Sequence, residues 1–223
     1  MNELTKPRVK ICCINSMEEA QLAIQFGASA LGLVGHMPSG PGVISDNLIF
    51  EITQSVPPPI ATFLLTSETS ADQIIQHHRK VLTNTIQIVD KLTNGSYSVI
   101  KKALPGIKLV QVIHVTDEES ITKAKNVAQY VDALLLDSGN QKLKVKELGG
   151  TGRTHDWTIS RKIRDTVSVP VYLAGGINAM NVLDAVKEVK PFGVDLCSGV
   201  RENGKLNEKL LGEFFSVFKM HNG

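Results

Sequence analysis

The chain has 223 residues, with 24 lysines and arginines against 22 aspartates and glutamates, a formal net charge of +2 and three cysteines. That length holds one sizeable core, and a mean hydropathy of +0.01 describes an ordinary globular protein. The small net charge gives no electrostatic reason to expect a nucleic acid or a membrane surface as partner. No apolar run approaches a bilayer span and no signal-peptide core opens the chain, so a cytoplasmic location is expected. Three cysteines, with Cys12 and Cys13 adjacent, make no disulfide framework. Neither a CxxC pair nor an HExxH helix is present, so no metal is expected.

Strand-like and helix-like segments alternate along the whole chain. Short β-branched or leucine-rich runs predict strands at 9–13, 30–34, 60–65, 85–89, 108–114, 133–137, 169–174 and 193–197. Between them, helical spacing of apolar residues predicts helices that include 16–26, 71–81, 117–129 and 179–189. Start signals are Ser16 before Glu18 and Glu19, Thr116 before Asp117 and Glu118, and Asn178 for the seventh helix. Pro57, Pro58 and Pro59 read as a rigid lead into the third strand. Eight βα units in this order predict an α/β fold of the closed type, a single (β/α)8 TIM barrel spanning residues 1–223. A doubly wound open sheet would want its glycine-rich turn after the first strand, whereas here such turns follow the last two.

Those two turns are the most informative feature. The seventh strand runs into Ala174-Gly175-Gly176-Ile177-Asn178, and the eighth into Cys197-Ser198-Gly199-Val200. Without a Cβ, backbone N–H groups at such turns can approach an anion closely, and the seventh and eighth strands of a barrel commonly hold phosphate. Gly175, Gly176, Ser198 and Gly199 are therefore read as a phosphate cradle for a phosphorylated small molecule; the plain alternative is a pair of tight β-to-α turns. A long connection, 138–156, follows the sixth strand on the active-site face and is read as a lid.

Catalytic groups in a barrel come from the C-terminal ends of strands. Cys12 closes the first strand and Asp137 the sixth. Alternation places Lys10 and Cys12 on one side and Val9, Ile11 and Cys13 on the other. If the latter face the helices, Lys10 points into the barrel, where its ammonium would favour a Cys12 thiolate. The alternatives are a cysteine acting as a small hydrophobe and an aspartate capping the next turn. A thiolate and a carboxyl group facing one ligand suit proton transfer at a carbon beside a carbonyl or imine.

Lys10-Ile11-Cys12, Leu135-Leu136-Asp137, Gly149-Gly150-Thr151-Gly152-Arg153-Thr154 with Asp156-Trp157, Ala174 to Asn178 and Val194 to Val200 together resemble the phosphoribosylanthranilate isomerase family, in order over nearly the whole chain. The resemblance implies a cofactor-free Amadori rearrangement in tryptophan biosynthesis, carried out by a monomer or homodimer. It implies that Asp137 is the general acid at the furanose ring oxygen and Cys12 the base that removes the proton at C2. It further implies phosphate contacts at Gly175, Gly176, Ser198 and Gly199, with Lys10, Arg153, Asp195 and Arg201 as further substrate-binding candidates.

Departures from the family pattern cluster at the substrate's carboxylate end. Cys13 stands where the family has glycine, Gly42 where it has an arginine, Gln87-Ile88-Val89-Asp90 where it has Gln-Leu-His-Gly, and Arg201 where it has glutamate. Residues 11–78 contain no lysine or arginine. Losing one partner of a buried charged pair typically costs about 2–5 kcal/mol. Either Arg201, Arg153 or protonated His36 replaces the missing cation, or the chain is a paralogue acting on another phosphorylated sugar, or a non-catalytic phosphosugar-binding barrel. The surface alternative for Arg201 is a solvated arginine. Strand eight neighbours strand one in a closed barrel, so Cys197 is also expected near Cys12 or Cys13 as a redox-sensitive pair, which equal thiol counts under oxidising and reducing conditions would exclude. His77, His78 and His114 are read as core-edge and surface histidines.

Overall fold

Eight short strands, four of them buried along their whole length, form a parallel sheet that closes on itself: β1 (Arg8–Ile11), β2 (Ala30–Val34), β3 (Ala61–Thr66), β4 (Thr85–Ile88), β5 (Lys108–His114), β6 (Ala133–Asp137), β7 (Val171–Leu173) and β8 (Gly193–Leu196). The computed structural model describes residues 6–38, 40–138 and 156–219. Closure is made by β1 against β8, with Lys10 opposite Asp195 and Ile11 opposite Leu196. Helices α1 (Met17–Phe26), α2 (Asp46–Ser55), α3 (Ala71–Val81), α4 (Tyr97–Ala103), α5 (Glu119–Ala128), α6 (Trp157–Thr166), α7 (Val182–Val189) and α8 (Glu208–Lys219) complete the (β/α)8 alternation. No helix among the described residues is long and apolar enough to cross a membrane.

Side-chain alternation divides the apolar residues into two layers. Along β6, Leu134 and Leu136 join the core between barrel and helices, whereas Ala133 and Leu135 join the barrel interior. β7 repeats the pattern, with Val171 and Leu173 outward and Tyr172 inward, its ring edge-on to Phe63 at 5.9 Å. A parallel sheet covered by helices buries both faces, which is why its strands read as nearly continuous apolar runs.

The helix ends follow local chemistry. Ser16 Oγ accepts the Glu19 N–H, and α1 stops at Gly27, whose φ of 106° is left-handed. Two predicted starts shift. α5 is opened by Asp117, whose Oδ1 accepts the Glu119 N–H, rather than by Thr116. α7 begins at Val182, not after Asn178, because residues 178–181 form a side-chain-bonded turn: Asn178 Oδ1 accepts from Met180 N, and Asn181 Oδ1 from Asn178 N. The proline lead into β3 folds as expected, with Ile60 N donating to Pro57 O.

One element was not foreseen. After β8, a 3-10 turn (Ser198–Val200) leads into an antiparallel hairpin of β9 (Arg201–Glu202) and β10 (Lys205–Leu206). Its two-residue loop, Asn203-Gly204, has φ of 51° and 77°. Two successive positive φ values are what a type I′ hairpin needs, and Asn-Gly is the pair that adopts them most readily.

Candidate active site

The C-terminal mouth of the barrel opens into a cavity lined by residues from the ends of several strands, among them Cys12, Gln87, Asp137, Gly175, Asp195 and Ser198. Cys12 and Asp137 thus share one cavity, each at a strand end and each nearly inaccessible, 6% exposed. Asp137 takes the Ser138 N–H on Oδ1 at 2.8 Å and lies opposite His114 in the β5–β6 register. Burial pushes its carboxyl above the usual carboxylate range, against the opposing pull of His114, Ser138 and Lys10. A carboxyl group raised in this way holds its proton to higher pH, as a general acid must. The imidazole of His114 donates from Nε2 to the Val89 carbonyl, so this histidine belongs to the electrostatic setting of Asp137.

Beneath the cavity, Lys10 is completely buried and its Nζ lies 2.9 Å from Asp195 Oδ1. Burial works against the ammonium, but Asp195, Cys12 and Cys13 more than offset that, and the net shift is upward. Lys10 therefore remains a cation inside the barrel, 5.3 Å from the Phe63 ring centroid. As candidate substrate residues the two separate: Asp195 lines the cavity, and Lys10 lies behind it. Gly32 on β2 makes room for this group, since a Cβ there would fall 2.9 Å from Cys12 Sγ and 3.0 Å from Lys10 Nζ.

Cys13 does not obey the expected alternation. It lies past the end of β1 with φ of 61°, and its side chain turns into the barrel layer beside Cys12. Its Sγ is 2.9 Å from Cys197 Sγ, so of the two expected thiol neighbours Cys197 takes Cys13. Contacts with Cys12 and Cys197, and burial, push the Cys13 thiol well up; its hydrogen bond, with help from Arg201, draws Cys197 down.

At the two glycine turns, Gly175 and Gly176 have φ of 83° and 66°. A Cβ on Gly175 would sit 2.9 Å from Ser138 Oγ, so the turn after β7 packs directly on the end of β6. The Gly176 carbonyl is held by Asn181 Nδ2 at 2.9 Å and Asn178 Nδ2 at 3.3 Å. The N–H groups of Gly175, Gly176, Ile177 and Ser198 make no hydrogen bond among the described residues, and all four residues line the cavity. Gly199 lies behind them, where a Cβ would run into the Ile177 carbonyl.

Two candidates for a relocated cation are not at the cavity. His36 is exposed and does not line it. Arg201 is directed elsewhere: its guanidinium pairs with Glu19 at 2.9 Å and bonds the carbonyls of Cys12 and Cys13. Its Nη1 and Nη2 donate to Glu19, Gly204, Cys12 and Cys13, and its Nε is buried without a partner among the described residues, so it is not a solvated surface arginine, and it does not line the cavity. Arg153, and the connection read as a lid, lie outside the described residues. Among the described lining residues none is lysine, arginine or histidine; Val34, Met37, Pro41, Leu65 and Val89 make one side apolar.

Gly42 and Cys13 are sterically linked. Gly42 has φ of 77°, and a Cβ there would fall 2.5 Å from Cys13 Cβ and 2.9 Å from its Cα. Gly42→Ala is expected to cost about 1–3 kcal/mol in denaturant unfolding, from overpacking and the left-handed backbone. Combining it with Cys13→Gly should return part of that loss, because the colliding Cβ is gone. Strict additivity of the two substitutions would disprove the link.

A closed eight-stranded barrel with a thiol and a raised carboxyl group at its C-terminal mouth defines a (β/α)8-barrel enzyme. Residues 9–217 match the family model described as N-(5'phosphoribosyl)anthranilate (PRA) isomerase, and the chain belongs to that family. It is 33% identical over 214 residues to the N-(5'-phosphoribosyl)anthranilate isomerase of Methanocella arvoryzae, covering 96% of this chain and 98% of that one. Among solved structures, the phosphoribosyl anthranilate isomerase of Thermotoga maritima superimposes with a TM-score of 0.80 at 27% identity, over 96% of this chain and all of the other. A phosphoribosyl anthranilate isomerase structure solved in complex with reduced 1-(o-carboxyphenylamino)-1-deoxyribulose 5-phosphate gives a TM-score of 0.77 at 26% identity and the same coverage.

Proposed function

We propose that the chain isomerises N-(5'-phosphoribosyl)anthranilate to 1-(o-carboxyphenylamino)-1-deoxyribulose 5-phosphate, an aldose-to-ketose (Amadori) step of tryptophan biosynthesis. The observation that carries this reading is the sharing of one cavity by Cys12, Asp137 and the two glycine turns. The backbone N–H groups at Gly175, Gly176, Ile177 and Ser198 bind the phosphate, an anion for which unpaired donors are well suited. Asp137, protonated, gives its proton to the ring oxygen; the C1–O bond breaks and the nitrogen lone pair forms the C1=N iminium. Cys12 as thiolate then takes the proton from C2, and that electron pair becomes the C1=C2 bond of an enolamine. Tautomerisation of the enolamine gives the ketose. The Lys10–Asp195 pair beneath the cavity keeps a buried positive charge on the thiol's side of the barrel.

A second reading, a paralogue using another phosphorylated sugar, draws on the lack of a cation among the described lining residues and on Gly42, which has no side chain to offer. Turnover of freshly generated phosphoribosylanthranilate, followed through the loss of its fluorescence, separates them. Rapid turnover supports the first reading. A folded chain that binds inorganic phosphate but leaves this substrate untouched would favour the second.

A further inference from the structure

Cys12 and Cys13 occupy an awkward stretch of chain. β1 ends at Ile11, and Cys13 is left-handed. Both residues are buried, 6% and 5% exposed, so their carbonyls need donors from within the protein. The Cys12 N–H is held by the Leu196 carbonyl at 2.7 Å, and the Ile14 N–H by that of Gly32 at 3.1 Å. For the two carbonyls the donor is Arg201, whose single Nη2 reaches both.

Arg201 can do this because the hairpin after β8 carries it back over the end of β1. Its Nη1 donates to Glu19 Oε1 at 3.0 Å and to the Gly204 carbonyl at 3.1 Å, and its Nη2 donates to Glu19 Oε2 at 2.9 Å. Glu19 in turn accepts the N–H groups of Asn15 and Leu206. One planar fork thus joins the turn after β1, the first turn of α1 and the hairpin. A planar guanidinium with several fixed donors fits this role, and a lysine ammonium, a single point of charge, does not.

We propose that Arg201 is a positioning residue for Cys12: it fixes the backbone on either side of the thiol and so aims Sγ into the cavity. The proposal rests on the reading of Cys12 as the base, and it accounts for the arginine at a position where the family has glutamate, since a carboxylate has no donor for two carbonyls. It also links Arg201 to Cys13 and Gly42, because the carbonyl it holds belongs to the residue that Gly42 accommodates.

Two variants test it, Arg201→Met and Arg201→Lys, the second chosen to keep the charge opposite Glu19 should the first fail to fold. Catalytic sites lose about a hundredfold when a group shifts by an ångström. Arg201→Lys is therefore expected to lower kcat per phosphate-binding site by about tenfold and Arg201→Met by about a hundredfold, with KM little changed in either. Alkylation of Cys12 by iodoacetamide, read by fragment-ion mass spectrometry that separates it from the adjacent Cys13, should be about tenfold faster in the lysine variant, because a loosened backbone exposes the thiol more often. That readout holds even if the chain does not turn over phosphoribosylanthranilate, so it separates a failure of the proposed function from a failure of this proposal. Wild-type labelling of Cys12 in Arg201→Lys, or a loss confined to melting temperature with kcat per site intact, would overturn it.

Discussion

Replacing Asp137 with asparagine is expected to lower kcat by about 10²–10⁴, the usual contribution of a positioned general acid, while leaving the protein as stable as before or more so. The two effects share one cause. Burial raises the Asp137 carboxyl, so the folded protein binds this proton more tightly than the unfolded chain does. For an acid shifted upward, stability is fully present below the unfolded value, about 3.9 for aspartate. It is then lost as pH climbs through the raised folded value, where ionisation of the buried group must be forced. Asparagine has nearly the same shape and never ionises, and its side-chain oxygen can still accept the Ser138 N–H that Asp137 accepts now. The melting temperatures of the two proteins should therefore nearly coincide at low pH and diverge in favour of Asp137→Asn as pH rises. In the wild type, kcat should fall toward alkaline pH as the acid loses its proton. Turnover within tenfold of wild type in Asp137→Asn would remove this residue from the reaction.

The sequence discloses the parts of this site that depend on short-range pattern. Strands such as 133–137 are legible because a covered parallel sheet buries both faces of each strand, and Asp137 stands out because it ends an apolar run. The direction of Lys10 follows from period-two alternation. Its pairing with Asp195 does not, because that depends on the β1–β8 register, which joins residues at opposite ends of the chain. Cys13 was misread for a local reason: alternation holds only while the backbone is extended, and a φ of 61° just past the strand turns the side chain inward. The hairpin at 201–206 was readable from Asn203-Gly204, a pair that favours successive positive φ. Without that hairpin, Arg201 looks like a rim residue facing the ligand. With it, the chain doubles back, and the guanidinium meets Glu19, 182 residues away in sequence.

The largest loss is expected from Cys12→Ser. A serine hydroxyl has no accessible anion near neutral pH, so it cannot remove a carbon-bound proton as a thiolate can. Turnover should fall by at least about 10²–10⁴, with inorganic phosphate still bound, because the proposed cradle at the ends of β7 and β8 is made of backbone N–H groups that the substitution does not touch. The neighbouring thiols make this a test of assignment as well as of mechanism. Cys13 is held as a thiol by its contacts and its burial, so it is poorly placed to substitute as a base. Cys197 is the real competitor: it lines the same cavity, and its hydrogen bond with Cys13, with Arg201 nearby, draws its thiol down. Cys197→Ser should therefore be made alongside. If Cys12→Ser is inactive and Cys197→Ser retains most turnover, the base stands at the end of β1, opposite the acid from β6. If the pattern reverses, proton abstraction starts instead from Cys197 just past β8, and Lys10 and Arg201 would serve a thiolate there.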